Sequence, residues 1–292
     1  EEICSPLGTK VEIDEARFFT GGGGTNSLAT FLAQGLKAAY CGAVGSDPMG
    51  DEVVKEIKKM GAKDTLISRV KDKMTNFSVI LSISGKDRTA LVYRGASEHF
   101  PVTLTEIPPT KWFYIAPLSG KSATSFEKIV NFAHKRGIKT AVNLGKDQLN
   151  IPPDRLKKIL AKTEVLILNQ EEASILAGID YSREDEIFKK IAGSYRGTFV
   201  MTKGSRGVIV FDKGVVYRAG IIKSKVVDRT GAGDSFGSAF ISGIILGKSI
   251  DESIQLAAAN SSSCLKEWGA KNGILSKGDS YRKVKVDILD FS

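Results

Sequence analysis

Histidine and cysteine are scarce in this chain of 292 residues, with two of the first and three of the second. His99 and His134 stand far apart, without the company of other ligating residues, so no histidine metal centre is offered. Cys4, Cys41 and Cys264 are too few and too scattered for a disulfide framework and read as free thiols, Cys264 inside an apolar helical stretch. No apolar run reaches the roughly 18 residues of a membrane helix, and the opening Glu1-Glu2-Ile3-Cys4 is not a signal peptide. Internal repeats, low-complexity tracts and long Pro/Ser-rich linkers are also missing. These absences point to a cytoplasmic protein that does not engage a membrane. Positive charge is plentiful, with Lys plus Arg 42 against Asp plus Glu 33 and a net charge of +9, but it is spread along the chain. Nucleic-acid binders concentrate it in a stripe, so that partner class is set aside. A diffuse positive field suits small anions such as nucleotides. What is present is ordinary: 42% hydrophobic and 26% charged residues, enough for a large core and too much for disorder.

Runs rich in β-branched and aromatic residues recur at 77–83, 89–94, 111–118, 138–144, 164–169, 198–202 and 207–212. The run 138–144 is apolar at successive positions, as in a strand covered on both faces. Helical spacing intervenes: Phe126, Ile129, Val130 and Ala133 share one stripe, as do Val53, Ile57 and Met60 after Pro48. From about residue 111 strands and helices alternate, which predicts βαβ units and a parallel sheet. Residues 1–20 and 76–100 break the rhythm and read as strand pairs without helices, with a hairpin turn at Ser84-Gly85-Lys86-Asp87. The expected organisation is an α/β core over 21–75 and 101–292 with a small antiparallel lid from 1–20 and 76–100.

The strongest chemical signal is Asp228-Arg229-Thr230-Gly231-Ala232-Gly233-Asp234, after a strand-like stretch at 224–227 and before an apolar helix at 235–246. Glycines permit a tight turn, and the amides at a helix start form an anion site. A carboxylate beside that site can take a proton from an attacking hydroxyl, a pairing that suits phosphoryl transfer. Taken alone, the segment equally fits a glycine turn with a capping Asp. Two familiar nucleotide motifs fail. A dinucleotide fingerprint would need glycine where Phe236 stands, and a P-loop ending at Gly120-Lys121-Ser122 would need glycine where Ile115 stands. A second cluster, Gly21-Gly22-Gly23-Gly24-Thr25-Asn26, precedes a helical pattern at 27–34; bare backbone there admits a polar ligand, and Asn26 can bond sugar hydroxyls. Asn169-Gln170-Glu171-Glu172 and Thr202-Lys203-Gly204-Ser205-Arg206-Gly207 each follow a strand, where open α/β sheets bind ligands. Asn169 and Glu172 suit hydrated Mg²⁺, although a helix start with acidic residues explains them too.

In this order the four motifs resemble the PfkB, or ribokinase-like, carbohydrate kinases. GGGGTN with Gly35-Leu36 and Val44-Gly45-Ser46-Asp47-Pro48-Met49-Gly50 is similar to the first family signature, and DRTGAGDSF to the second. NQEE is similar to its Asn-x-x-Glu motif and TKGSRG to its nucleotide-side turn. The resemblance implies a three-layer α/β/α core with a mostly parallel central sheet, a small antiparallel β lid, and ATP-dependent phosphorylation of a small sugar, sugar acid or polyol. It implies Asp234 as base and Gly231, Ala232 and Gly233 as anion hole. Gly22, Gly23, Asn26 and the lid residue Arg94 would meet the substrate. Asn169 and Glu172 would organise Mg²⁺ and phosphates, with Glu172 reaching the metal through water. Thr202, Gly204, Gly207 and Asn260 would line ATP. Asp228 and Thr230, with the segment Gly269-Ala270-Lys271-Asn272-Gly273, would hold a monovalent cation such as K⁺. A homodimer through the lid is a further implication.

Two departures qualify the resemblance. Family members begin with a central strand whose Asp grips substrate hydroxyls, whereas Glu1 already lies in lid-like sequence and Asp14 is too near the glycine cluster for that role. A sheet without its central strand would leave backbone unpaired, so a missing N-terminal segment is expected rather than a damaged sugar site. The strand 111–118 ends in Ser119-Gly120 without the acidic residue of ribokinase proper, which argues against ribose. A nucleoside kinase of the same family, and a non-catalytic sugar- or nucleotide-sensing protein on the same fold, are the competing readings.

Overall fold

The core begins with strands that are apolar on both faces. In the strand Val165–Asn169, Val165 and Ile167 point into one hydrophobic cluster while Leu166 and Leu168 point into another on the opposite side. Such a strand is stable only between two covering layers, and the fold supplies them. The computed structural model describes residue 4 and residues 7–82, 88–100 and 103–291. The first half runs α1 (Gly23–Ala33), β1 (Gly42–Gly45), α2 (Pro48–Lys59), β2 (Ile67–Val70), β3 (Phe77–Ser82), β4 (Arg88–Tyr93), β5 (Trp112–Ile115), α3 (Gly120–Ala123), α4 (Phe126–Lys135) and β6 (Lys139–Asn143). The second runs α5 (Lys146–Leu149), α6 (Pro153–Leu160), β7 (Val165–Asn169), α7 (Gln170–Ala177), α8 (Glu184–Ser194), β8 (Thr198–Thr202), β9 (Val208–Asp212), β10 (Val215–Ala219), α9 (Ala232–Ile245), α10 (Ile250–Cys264) and β11 (Val286–Asp290).

The main sheet has seven strands in the order β11-β10-β9-β8-β7-β6-β5. Strands β5 to β8 are parallel, and β9 to β11 continue the sheet antiparallel. One face is covered through Phe126 and Val130 of α4, Leu156 and Ile159 of α6 and Ile187 of α8. Phe31 of α1, Phe236 and Phe240 of α9 and Ile254 of α10 cover the other. This is the three-layer α/β/α arrangement. A separate parallel pair, β1 with β2, is joined through α2, whose start is capped by Asp47 accepting from Gly50 N at 2.8 Å.

The hairpin β3–β4 forms the antiparallel lid, pairing Phe77 with Tyr93 through Ser82 with Arg88. Its expected turn, Ser84-Gly85-Lys86-Asp87, lies outside the described residues. Two expectations are corrected. Residues 7–20 form no strand. Val11, Ile13 and Phe18 are exposed, so their strand-like composition has no sheet to pair with. Residues 224–227 are also irregular; Val227 N bonds Leu265 O at 2.8 Å, fastening the chain to the end of α10 instead of to a strand.

Phe240 is fully buried between α9 and the sheet. Phe240→Ala is expected to cost about 3–5 kcal/mol in urea denaturation while leaving the native circular dichroism spectrum in place.

Candidate active site

Helix α9 opens on Gly231, whose φ of 78° is left-handed and whose position offers no side-chain cap. A Cβ there would sit 2.3 Å from the Cβ of Ala270, so both conformation and space require glycine. The first amides of a helix have no partner within it, and here no side chain covers them. They and the helix dipole make the start of α9 a place for an anion. Asp234 lies in that first turn.

Helix α1 also begins on a glycine cap, Gly22, and starts inside the glycine cluster at Gly23 rather than after it. The reason is close approach. A Cβ on Gly24 would be 2.6 Å from the Tyr40 ring, and one on Gly23 would be 3.3 Å from Asp234 Oδ1. The two glycine-capped helix starts therefore meet at Asp234. Asn26 Nδ2 donates to Asp234 Oδ2 at 2.8 Å, leaving Oδ1 toward the glycine loop. Asn26 is buried, and its own Oδ1 has no hydrogen-bond partner among the described residues.

Burial raises the Asp234 carboxyl above its usual range, and the Asn26 bond lowers it in part. Burial also pushes Glu172 up to about 7; the Asn169 amide opposes this, while the carboxylates of Glu171 and Asp234 add to it. Glu172 is half-spent on structure. Asn169 Oδ1 accepts from Glu172 N and Glu172 Oε2 accepts from Asn169 N, each at 2.8 Å, which closes a capping box on α7. Among the described residues, no group of three or more His, Cys, Asp or Glu forms a ready-made metal cage.

A cavity of about 2430 Å³ gathers Gly22, Gly23, Arg94, Glu172, Thr230 and Asp234 on its walls. Asn169 and Thr202 lie beside one another in register at the ends of β7 and β8. Gly204 and Gly207 close the following turn, with Lys203 N bonding Gly207 O at 2.8 Å. Asp228 takes the amides of Thr230 at 2.8 Å and Gly269 at 3.1 Å, while Thr230 Oγ1 is buried with no hydrogen-bond partner among the described residues. Asn260 is corrected. It is fully buried, donating to Ser235 O at 2.9 Å and accepting from Leu275 N at 2.7 Å, so its amide ties α10 to α9 and cannot line a nucleotide. Tyr114 and Ser27 went unnoticed in the sequence. Both hydroxyls are buried, and the Tyr114 phenol, which feels the Asp234 charge, lies close to the side chains of Ser27 and Asn143. Burial first, then the Asp234 charge, pushes the phenol well above its ordinary range. Tyr114 sits in an apolar strand and packs edge-on against Phe31 at 5.4 Å, so its sequence context signals only core.

The model of the pfkB family of carbohydrate kinases matches residues 2–277. The chain belongs to this family. This pfkB carbohydrate kinase is 26% identical over 274 residues to a ribokinase of Haemophilus influenzae, covering 89% of this chain and 85% of that protein. Its fold is that of Arabidopsis thaliana ribokinase complexed with ribose and ATP, at TM-score 0.79 and 22% identity over 94% of this chain and 91% of the other. It is also that of Burkholderia thailandensis nucleoside kinase in complex with inosine, at TM-score 0.80 and 16% identity over 93% and 89%. Among the described residues of the kinase no helix is long and apolar enough to cross a membrane.

The raised Glu172 carboxyl has a consequence for stability. Its folded-state value of about 7 exceeds the ordinary 4.5, so the neutral form is the one folding prefers. That contribution is whole below pH 4.5 and is lost as pH rises through 7. Glu172→Gln, which cannot ionise, is expected to lose less stability than wild type between pH 4.5 and pH 8, by on the order of 3 kcal/mol in metal-free urea titrations.

Proposed function

We propose that this kinase transfers the γ-phosphoryl group of ATP to a hydroxyl of a small carbohydrate other than ribose. The observation that carries the reading is Asp234, held by Asn26, with a free oxygen turned to the glycine loop at an uncapped helix start. Asp234 takes the proton as the acceptor oxygen forms its bond to phosphorus; the bond from phosphorus to the β–γ bridging oxygen breaks and ADP departs. The amides of Gly231, Ala232 and Gly233 meet the charge on the transferred group. Asn169 and Glu172 are the residues that would hold Mg²⁺, whose chemistry there is to neutralise phosphate charge. Gly22, Gly23 and Arg94 face the acceptor, and Thr202, Gly204 and Gly207 the nucleotide. The buried, unpartnered Thr230 Oγ1 beside Asp228 supports a monovalent cation such as K⁺ at that turn.

The core in this reading spans 21–75 and 101–292, with β3–β4 as lid. Val79 and Leu91 on one face of the hairpin, and Ile80 and Val92 on the other, are exposed. A two-stranded ribbon apolar on both faces is stabilised by a second copy, which supports a homodimer through the lid. Light scattering should then give twice the chain mass, and Ile80→Asp with Val92→Asp should give monomers; a monomeric wild type removes this part of the reading.

A nucleoside acceptor is the second reading, supported by the fold shared with the Burkholderia thailandensis nucleoside kinase in complex with inosine. An ADP-release screen over pentoses, hexoses, phosphosugars, sugar acids and nucleosides with Mg²⁺ and K⁺ separates the two. Asp234→Asn is expected to lower kcat by ~10²–10⁴ on the best acceptor, the worth of a general base. Near wild-type turnover in that variant removes Asp234 from the role, and binding of a sugar without any ADP release favours a sensing protein.

A further inference from the structure

A buried lysine outside the chemistry joins the two glycine-capped helix starts. The Lys271 side chain is 8% exposed and its ammonium pairs with Glu56 of α2. It also donates to Thr20 Oγ1 at 2.5 Å, and Thr20 bonds the same Glu56 carboxylate. Thr20 is the residue immediately before the glycine loop. Gly21 and Gly22 are fastened in turn to α1: Thr25 Oγ1 donates to Gly21 O at 2.8 Å, and Asn26 N to Gly22 O at 2.9 Å. On the other side of the lysine, Ala270 packs against Gly231 and Gly269 N donates to Asp228 at 3.1 Å. Two more contacts bind the same pair of segments. The Arg17 guanidinium lies 4.5 Å from the centre of the Trp268 ring, and Phe19 lies against Gly269.

We infer that Lys271 and Glu56 form a clamp that sets the glycine loop at a fixed position relative to the Gly231–Asp234 turn, so that Lys271 is a positioning residue for phosphoryl transfer. The inference deepens the proposed function, on which the assignment of the glycine loop to the acceptor rests. The clamp acts on alignment. It touches neither Asp234 nor the amide cradle directly, and through residues 268–272 it adds a second tie between segments that also meet at Asn26 and Asp234. Burial lowers the lysine and its bond to Glu56 raises it, the balance of an ammonium taken from water to serve a partner. A displacement of an acceptor hydroxyl by a fraction of an ångström is costly in rate, because proximity and orientation supply much of the acceleration in a two-substrate reaction.

The test combines hydrogen exchange of the ligand-free protein with kinetics on whichever acceptor turns over fastest in the ADP-release screen. Lys271→Met is expected to speed exchange at least 10-fold in peptides spanning 17–26 and 228–236 together, while α4 and α6 keep their protection. It should also lower kcat at least 10-fold and raise the acceptor KM at least 5-fold, with the ATP KM within 2-fold of wild type. Lys271→Arg should recover most of both effects. If Lys271→Met does not fold, Glu56→Gln removes one charge and should show the same pattern in weaker form. Unchanged exchange, exchange quickened in only one of the two segments, or KM values for ATP and acceptor that rise together would each overturn the clamp. Exchange is read without substrate, so a wild type that phosphorylates nothing in the screen defeats the proposed function while the clamp is still judged.

Discussion

Amides at the start of α9 are the constraint around which the rest is arranged. A helix start buried in a protein must find partners for its first N–H groups, and α2, α7 and α10 find them in the side chains of Asp47, Asn169 and Ser249. The start of α9 has Gly231 instead, in a conformation and a space that exclude any side chain. Ala232 N reaches only Arg229 O, at 3.5 Å, and no side chain caps this turn. The glycine-capped start of α1, approaching from the other side, brings backbone rather than side chains close to Asp234.

Charge follows the same logic. Burial pushes both Asp234 and Glu172 toward their neutral forms, and the Asp234 charge adds to the burden on Glu172. The protein on its own meets this cost with one amide from Asn26 and one backbone N–H at Asn169.

Local chemistry was readable and long-range chemistry was not. The turn at Gly231–Asp234 shows in sequence because its backbone demands glycine within a few residues, and the central strands show because both faces must be apolar. Asn260 misled because an asparagine in an apolar helix looks alike whether its amide meets a ligand or, as here, Ser235 and Leu275. Residues 7–20 have strand composition, but pairing depends on a neighbouring strand that composition does not describe. Gly23 and Gly24 read as a loop before a helix, whereas the contacts that require them, Asp234 and Tyr40, come from elsewhere in the chain. Glu56 and Lys271 are 215 positions apart, beyond any local pattern.

The same separations govern the order of assembly. Asn26 meets Asp234 across 208 positions, and Thr20 meets Lys271 across 251. Helices and neighbouring parallel strands close over short spans, whereas these contacts need nearly the whole chain to be in place before they yield anything. In refolding, the sheet and its helical layers therefore form ahead of the catalytic mouth.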